Sequence, residues 1–240
     1  MNFFFIANTY TKLTSKKLTN NTTIRLSTIF NRSDSITDNN MTKKTISDRN
    51  ALNCPYTVHF SKRDTADRAE VEQFIRDIFY QTCRAKVRFF LPTLMSLRDR
   101  EGKLIAACGI RNAGTERLFL ENYTDKPIEQ LLSERAGVKV LRSDIVEIGN
   151  YSVAEMGLSR LLICAIFNQL HATSKQWAVF TAIHLVRNAL IKQNIFPKIL
   201  CDADIDRLPP EERSEWGSYY EQNPQVMAIR RMERRHETRV

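Results

Sequence analysis

Anion chemistry is the first possibility this 240-residue sequence offers. From Val146 to Arg160 it reads Val-Glu-Ile-Gly-Asn-Tyr-Ser-Val-Ala-Glu-Met-Gly-Leu-Ser-Arg, an apolar strand running into a glycine-containing turn and then a helix. A glycine at a helix N-terminus lets backbone N–H groups approach an anion, and the helix dipole favours negative charge there. Gly157 is open to two readings: a phosphate cradle with Arg160 in the first turn, or a flexible helix start beside a surface arginine. Asp202, Asp204 and Asp206 have the spacing that begins a calcium loop. The loop's glycine position, however, holds Arg207 and its bidentate-acid position holds Arg213, so a solvated acidic turn is the better reading. The four histidines are scattered singly and the five cysteines form no C-x-x-C pair, so no metal site is expected. Signatures of serine hydrolases, zinc proteases, phosphate-binding loops and dinucleotide folds are absent, which removes most of the case for those classes.

A series of regular elements must position that junction. Tyr56–Phe60 alternates like a strand, and Asp64–Asp67 offers capping residues for a helix whose apolar positions Val71, Phe74, Ile75, Ile78 and Phe79 share one face. Thr93–Arg98 and Leu104–Ile110 flank the polar loop Asp99–Gly102 as an antiparallel hairpin. Arg117–Leu120 reads as a further short strand, and Pro127–Glu134 as a helical turn or two. From Ile145 the order is a strand to Ile148, a helix from Gly157 to about His171, a strand over Trp177–Thr181 and a helix from His184 to Gln193. Short apolar strands alternating with helices predict parallel pairing through a right-handed crossover, in an α/β or α+β sheet with helices on its faces.

Composition sets the class. With 42% hydrophobic and 26% charged residues the chain is globular, and residues 51–240 carry the apolar periodicity of one domain. Residues 1–50 are rich in Ser, Thr, Asn and Lys, lack that periodicity and are expected to form a flexible or disordered segment, with a chain start at Met41 as one reading. The longest apolar run, Leu161–Phe167, has seven residues, against about 18–20 for a bilayer span, so no transmembrane segment is expected. Neither an export signal nor a disulfide pattern is evident, and a cytoplasmic location is expected. The net charge of +9 would attract a polyanion: nucleic acid, an anionic membrane or an acidic carrier protein. No nucleic-acid motif accompanies it, so no specific nucleic-acid partner is expected. Arg230, Arg231, Arg234 and Arg235 read either as a solvated tail or as a docking patch for an acidic partner.

Several short motifs occur together in order: Arg111-Asn-Ala-Gly114, Leu118-Phe-Leu-Glu-Asn-Tyr123, Val146-Glu-Ile-Gly-Asn150, Phe180-Thr-Ala182, Arg187-Asn188 and Trp216-Gly-Ser-Tyr-Tyr220. In this combination the sequence from about Tyr56 to Met232 resembles the thermostable hemolysin family of bacterial proteins. That resemblance implies a fold similar to the GNAT acyltransferases and the acyl-homoserine-lactone synthases: a mixed, mostly antiparallel sheet with a parallel central pair. It implies transfer of a fatty acyl group from a thioester, on acyl-CoA or on the phosphopantetheine of an acidic acyl carrier protein, to a small amine such as an amino acid. The alternative is a non-enzymatic lytic or membrane-surface-binding protein, as the family name suggests.

The resemblance also implies roles for residues. Acyl transfer to an amine needs a base and donors for the developing oxyanion. Glu147 and Glu121 are the candidate bases, with Asn150 orienting the base or the acceptor, and strand alternation points Glu147 away from the core and toward a cleft. The donor is expected along Tyr151, Ser152, Val153, Gly157, Leu158, Ser159 and Arg160, with Asn188 on the later helix. GNAT enzymes usually carry Gln/Arg-x-x-Gly-x-Gly/Ala there, and the matching stretch is Ala154-Glu-Met-Gly157-Leu-Ser159. The tyrosine many of them use as general acid aligns with Leu190. Arg111 is the expected partner of an acceptor carboxylate, with Tyr123, Phe180, Thr181, Trp216 and Tyr219 around the substrate. The cleft is expected between the parallel strands near Ile145 and Trp177. Glu121 and Glu147 could equally form ion pairs with Arg111, Arg117 or Arg142, and Trp216, Tyr219 and Tyr220 could equally be an aromatic cap on the C-terminal sheet.

Overall fold

A computed structural model describes residues 56–231. The expectations for residues 1–50 and for Arg234 and Arg235 lie outside the described residues. Seven strands form one sheet in the order β1-β2-β3-β4-β5-β7-β6. They are β1 (Thr57–Ser61), β2 (Thr93–Arg98), β3 (Leu104–Asn112), β4 (Ile145–Val153), β5 (Trp177–Ala182), β6 (Lys198–Asp202) and β7 (Gln225–Arg230). Every neighbouring pair is antiparallel except β4 and β5, which run parallel as expected.

Helices cover both faces, again as expected. Helix α1 (Arg68–Cys83) buries Val71 and Ile75 against Leu94 and Ala107. On the same side α2 (Ile128–Ala136) packs Ile128 and Leu132 with Ile145, Trp177 and Val179. On the other side α3 (Ser159–Ala172) and α4 (His184–Ile191) pack Leu162, Ile163, Ile166 and Leu190 on Val146, Ile148, Ala178 and Phe180. A one-turn helix α5 (Pro210–Arg213) precedes the aromatic segment.

Three expectations are corrected. Asp67 does not cap α1 with its side chain; its carboxylate accepts the Ser61 hydroxyl at 2.7 Å. Gly157 does not begin the long helix, because a separate 3-10 turn over Met156–Leu158 precedes α3. Arg117–Leu120 is not a strand: Leu118 is extended, and a 3-10 turn occupies Phe119–Asn122. The cause of this last difference is chemical. The N–H groups a strand would give to a ladder go to carboxylates, Leu118 to Glu121 at 2.9 Å, Phe119 to Glu147 at 3.1 Å and Leu120 to Glu147 at 2.9 Å.

Strand β4 runs on to Val153, well past the expected end at Ile148. Against β3 its register jumps between Ala107↔Ser152 and Gly109↔Gly149, so Asn150 and Tyr151 together oppose Cys108 in a β-bulge. Asn150 takes φ +49, a left-handed conformation that asparagine tolerates better than most side chains.

Gly217 joins the C-terminal aromatic segment to the end of α1. Its φ is +51, and a Cβ there would lie 2.1 Å from the Cys83 carbonyl oxygen. Ser218 N–H donates to that same oxygen at 2.8 Å. Gly217→Ala is expected to lower stability by about 2–3 kcal/mol, from left-handed strain plus overpacking, read as a reduced urea midpoint with unchanged m-value.

Candidate active site

The parallel pair makes the site. β4 and β5 are in register from Ile145↔Trp177 to Ile148↔Phe180, after which the bulge turns β4 aside while both strands continue. The cleft is therefore not at Ile145 and Trp177, where the strands are closed, but at their far ends. A cavity of about 470 Å³ opens there and passes from one face of the sheet to the other, within the range of sites that enclose small molecules.

Its two sides differ in chemistry. On the α3 and α4 side the wall is apolar, from Ile163, Ile166, Phe167 and Leu170 with Ile148 and Phe180. The four α3 residues recur at helical spacing and line about 10 Å of depth. On the opposite side lie Glu147, Arg111, Phe119, Tyr123, Trp216 and Tyr220. Leu190 contributes an apolar wall residue from α4.

Glu147 is 3% exposed, and alternation along β4 does turn it to the face opposite Ile148. Burial pushes its carboxyl above the usual value, against the N–H groups of Leu120 and Phe119 and the charge of Arg111, which act in the opposite direction. Arg111 stands directly across β3 from it, Nη1 to Oε2 at 3.8 Å, with Nε 3.4 Å from Glu116. Arg111 Nη1 also donates to the Arg117 carbonyl at 3.0 Å.

Glu121 does not line this cavity. Arg142 grips both its oxygens, at 2.6 and 2.8 Å, and Ile128 N–H adds a third donor at 3.1 Å. Burial raises the carboxyl, but Arg142 and the two backbone donors outweigh it and hold the value at about 2. The group is a structural anion, the ion-pair alternative open at the sequence level, and it fixes the turn that feeds N–H groups to Glu147.

Asn150 lines the cavity, and both ends of its side-chain amide bond the backbone of a neighbouring strap. Its Oδ1 accepts Leu91 N–H at 3.0 Å and its Nδ2 donates to the Phe89 carbonyl at 3.2 Å, clipping the strap of residues 84–92 across the bulge. Leu91 then sits so close over β3 and β4 that a Cβ on Gly109 would lie 2.7 Å from its Cβ. The same end of the strap is held by buried Arg68, whose guanidinium donates to the carbonyls of Leu91 and Pro92. Asn150→Gly keeps the backbone conformation and removes the clip, so hydrogen exchange at the Leu91 amide is expected to accelerate about tenfold or more.

Of the remaining expected donor-binding residues only Tyr151 lines the cavity. Its hydroxyl donates to the Ser159 carbonyl at 3.2 Å and ties the bulge to the start of α3. Ser152 is buried with its hydroxyl on the Asn150 carbonyl, and Val153 packs against the α3 side of the core. Gly157 and Arg160 are exposed, Leu158 and Ser159 half-buried, and a Cβ on Gly157 would meet nothing within 4 Å. The turn is therefore open to an anion but is not shaped by glycine. Asn188 is exposed on α4, outside the cavity wall.

The expected substrate-side residues converge. Arg111, Tyr123, Phe180, Thr181, Trp216 and Tyr219 all line the cavity. Trp216 centres a group of rings, 5.9 Å from Phe119, 5.6 Å from Tyr219 and 5.8 Å from Tyr220. The Tyr123 and Tyr220 hydroxyls are hydrogen-bonded to each other. Burial raises the Tyr123 phenol strongly, and raises Tyr220 to about 12. Lining residues absent from the sequence-level candidates include Leu91 of the strap and Glu212 and Glu215 of the C-terminal segment. For the strap a signal existed: Arg84, Ala85, Lys86, Val87 and Arg88 alternate exposed with buried at period two.

No group of three or more His, Cys, Asp or Glu side chains able to hold a metal occurs among the described residues. Asp204 caps a 3-10 turn and Asp206 pairs with Arg213, as a solvated acidic turn should. Within the described residues no helix is long and apolar enough to cross a membrane.

A mixed sheet with one parallel pair that parts at a bulge and opens a cavity defines the GNAT-like fold class. The family model for thermostable hemolysin matches residues 61–234, and the chain belongs to that family. A search of curated proteins found no match. Among solved structures the chain is similar to the AHL synthase LasI at 11% identity and TM-score 0.52, over 74% of this chain and 90% of that one. It is similar to TofI, solved in a ternary complex with an inhibitor and MTA, at 11% identity and TM-score 0.52, over 74% and 91%. It is also similar to FeeM, an N-acyl amino acid synthase from uncultured soil microbes, at 10% identity and TM-score 0.51, over 75% and 93%.

Proposed function

We propose that this protein is an N-acyltransferase that moves a fatty acyl group from a thioester to a small amine. The observation that carries the reading is the cavity through the parted strands, apolar for two turns of α3 on one side and holding buried Glu147 on the other. The fold shared with an AHL synthase and an N-acyl amino acid synthase supports it.

In this reading the acyl chain lies along Ile163, Ile166, Phe167 and Leu170, and the thioester carbonyl sits where β4 leaves β5. Backbone N–H groups beyond Ile148 polarise that carbonyl. Glu147 accepts a proton from the amine as its nitrogen adds to the carbonyl carbon. That addition forms the C–N bond and an oxyanion; its collapse re-forms the carbonyl and breaks the C–S bond, and the proton held on Glu147 leaves with the thiolate as the free thiol. The donor is coenzyme A or the phosphopantetheine of an acidic acyl carrier protein, whose approach the chain's positive charge favours. The exposed turn before α3, with Arg160 in its first helical turn, is the place for the donor's phosphate.

The test is incubation of the full chain with acyl-CoA or acyl carrier protein and a mixture of amines, read by mass spectrometry. Amide products with the mass of acyl plus amine are expected. Thioester left intact, together with prompt dye release from liposomes in the absence of any acyl donor, would replace this reading with direct lysis.

A further inference from the structure

We propose that the amine acceptor carries a second positive charge, an ammonium or guanidinium, which seats among Glu212, Glu215, Trp216 and Tyr220. The proposal rests on the acyl-transfer reading and names the class of its acceptor.

The first observation is an unsatisfied oxygen. Glu215 lines the cavity and its Oε1 accepts from Arg88 at 2.8 Å, but its Oε2 is buried with no hydrogen-bond partner among the described residues. A desolvated carboxylate oxygen without a donor is unfavourable, and an N–H group on a cation satisfies both its hydrogen bond and its charge. The second is the ring group beside it. Trp216, Tyr219, Tyr220 and Phe119 stand with centroids 5.3–5.9 Å apart for the contacting pairs, and all four line the same cavity. Aromatic rings attract a cation that lies over their faces.

The third is charge. Glu211 and Glu212 of α5 also line the cavity, and neither makes an ion pair among the described residues. Among the lining residues the carboxylates Glu147, Glu211, Glu212 and Glu215 outnumber the cations Lys86, Arg88 and Arg111 by one. The wall is net negative in a chain of charge +9. Arg111 lies between Glu116 and Glu147, at 3.4 and 3.8 Å, so its charge is already shared by two carboxylates, although its buried Nε has no hydrogen-bond partner among the described residues. A cation-bearing side group meets the unpaired carboxylates of Glu211 and Glu212.

Calorimetric titration of the full chain with two matched pairs of probes tests this: L-lysine against L-norleucine, and cadaverine against pentylamine. The doubly cationic member of each pair is expected to bind about tenfold more tightly. Glu215→Gln and Glu212→Gln are each expected to reduce that ratio toward one. Glu212 makes no ion pair, so its variant stands if loss of the Arg88 contact unfolds the other. Equal binding within both pairs, binding by no probe, or a ratio unchanged in both variants overturns the proposal. The titration needs no acyl donor. A cation preference without turnover would therefore reject acyl transfer alone, and turnover without the preference would reject only the acceptor class.

Discussion

Replacing Glu147 by glutamine is expected to reduce kcat/KM for amide formation by about 10²–10⁴-fold, the span typical of a lost general base. The glutamine fills the same volume between β3 and β5, so the sheet register should survive. One local change follows from the donor geometry. Both carboxylate oxygens accept backbone N–H groups, from Leu120 and Phe119, and a carboxamide can accept through only one of its two ends. One N–H of the 3-10 turn is left facing an NH₂ group, which is expected to lower stability by about 1–3 kcal/mol. Turnover and unfolding must therefore be measured on the same preparation, with near-ultraviolet circular dichroism confirming native packing.

The pH profile separates a base from a mere anchor. Burial holds the Glu147 carboxyl above its ordinary 4.5, and a base works only when deprotonated. The rate should rise with pH through this raised value, and that limb should vanish in Glu147→Gln. An unchanged limb, or full activity in the variant, would assign the proton transfer to another group. For stability the same shift has a definite sign. Between 4.5 and the raised native value the folded state binds more protons than the unfolded one, so this residue's contribution declines as pH rises through that window.

Arg142→Met is expected to lower stability by about 3–5 kcal/mol, because it leaves Glu121 as an uncompensated charge at 8% exposure. The arginine fork supplies two of the four donors on that carboxylate and also pairs with Glu129 at 2.7 Å. Glu121 shows the opposite linkage from Glu147. Its native carboxyl, at about 2, lies below the unfolded value of 4.5. Its stabilisation is therefore fully present above 4.5 and is lost as pH falls toward 2. Without Arg142 the native value rises, and the gap between wild type and variant should narrow in acid. Urea midpoints at pH 7 and pH 3 measure this. The double variant Glu121→Gln with Arg142→Met should recover part of the loss, since no buried charge then remains. Because the Glu121 turn presents Phe119 and Leu120 to Glu147, Arg142→Met should also lower turnover, although Arg142 does not line the cavity.

What could be read along the chain follows the range of the signal. The α1 face at Val71, Phe74, Ile75 and Ile78, the Asp99–Gly102 hairpin and the parallel pairing of the Ile145 and Trp177 strands are written in periodicities of two or 3.6 over a few residues. Strand β7 carried a comparable signal in Val226-Met-Ala-Ile229, a short buried run that resembles a helix segment as much as a strand. The motif order sufficed for the family and for the substrate-side group from Arg111 to Tyr219.

Arg117–Leu120 shows where local reading ends. Its short apolar run is that of a strand, and carboxylates convert it to a turn, Glu121 from within the turn and Glu147 from 27 and 28 residues away. Asn150 likewise looked like a polar site residue, but its amide is taken up by a strap some sixty residues earlier in the chain.

The amino-acid sequence alone determined which segments are strands or helices over most of the described domain, the central parallel pair, and the candidate carboxylates. Burial patterns and turn chemistry act between near neighbours, so they are legible without coordinates. The tertiary structure alone decided that the cleft opens beyond Ile148 and Phe180, that the N–H groups of Phe119 and Leu120 meet Glu147 and that Glu121 is held by Arg142. Each of those outcomes depends on which distant donor reaches a buried oxygen, and in a low-dielectric interior that choice separates an anchored anion from a group poised to take a proton.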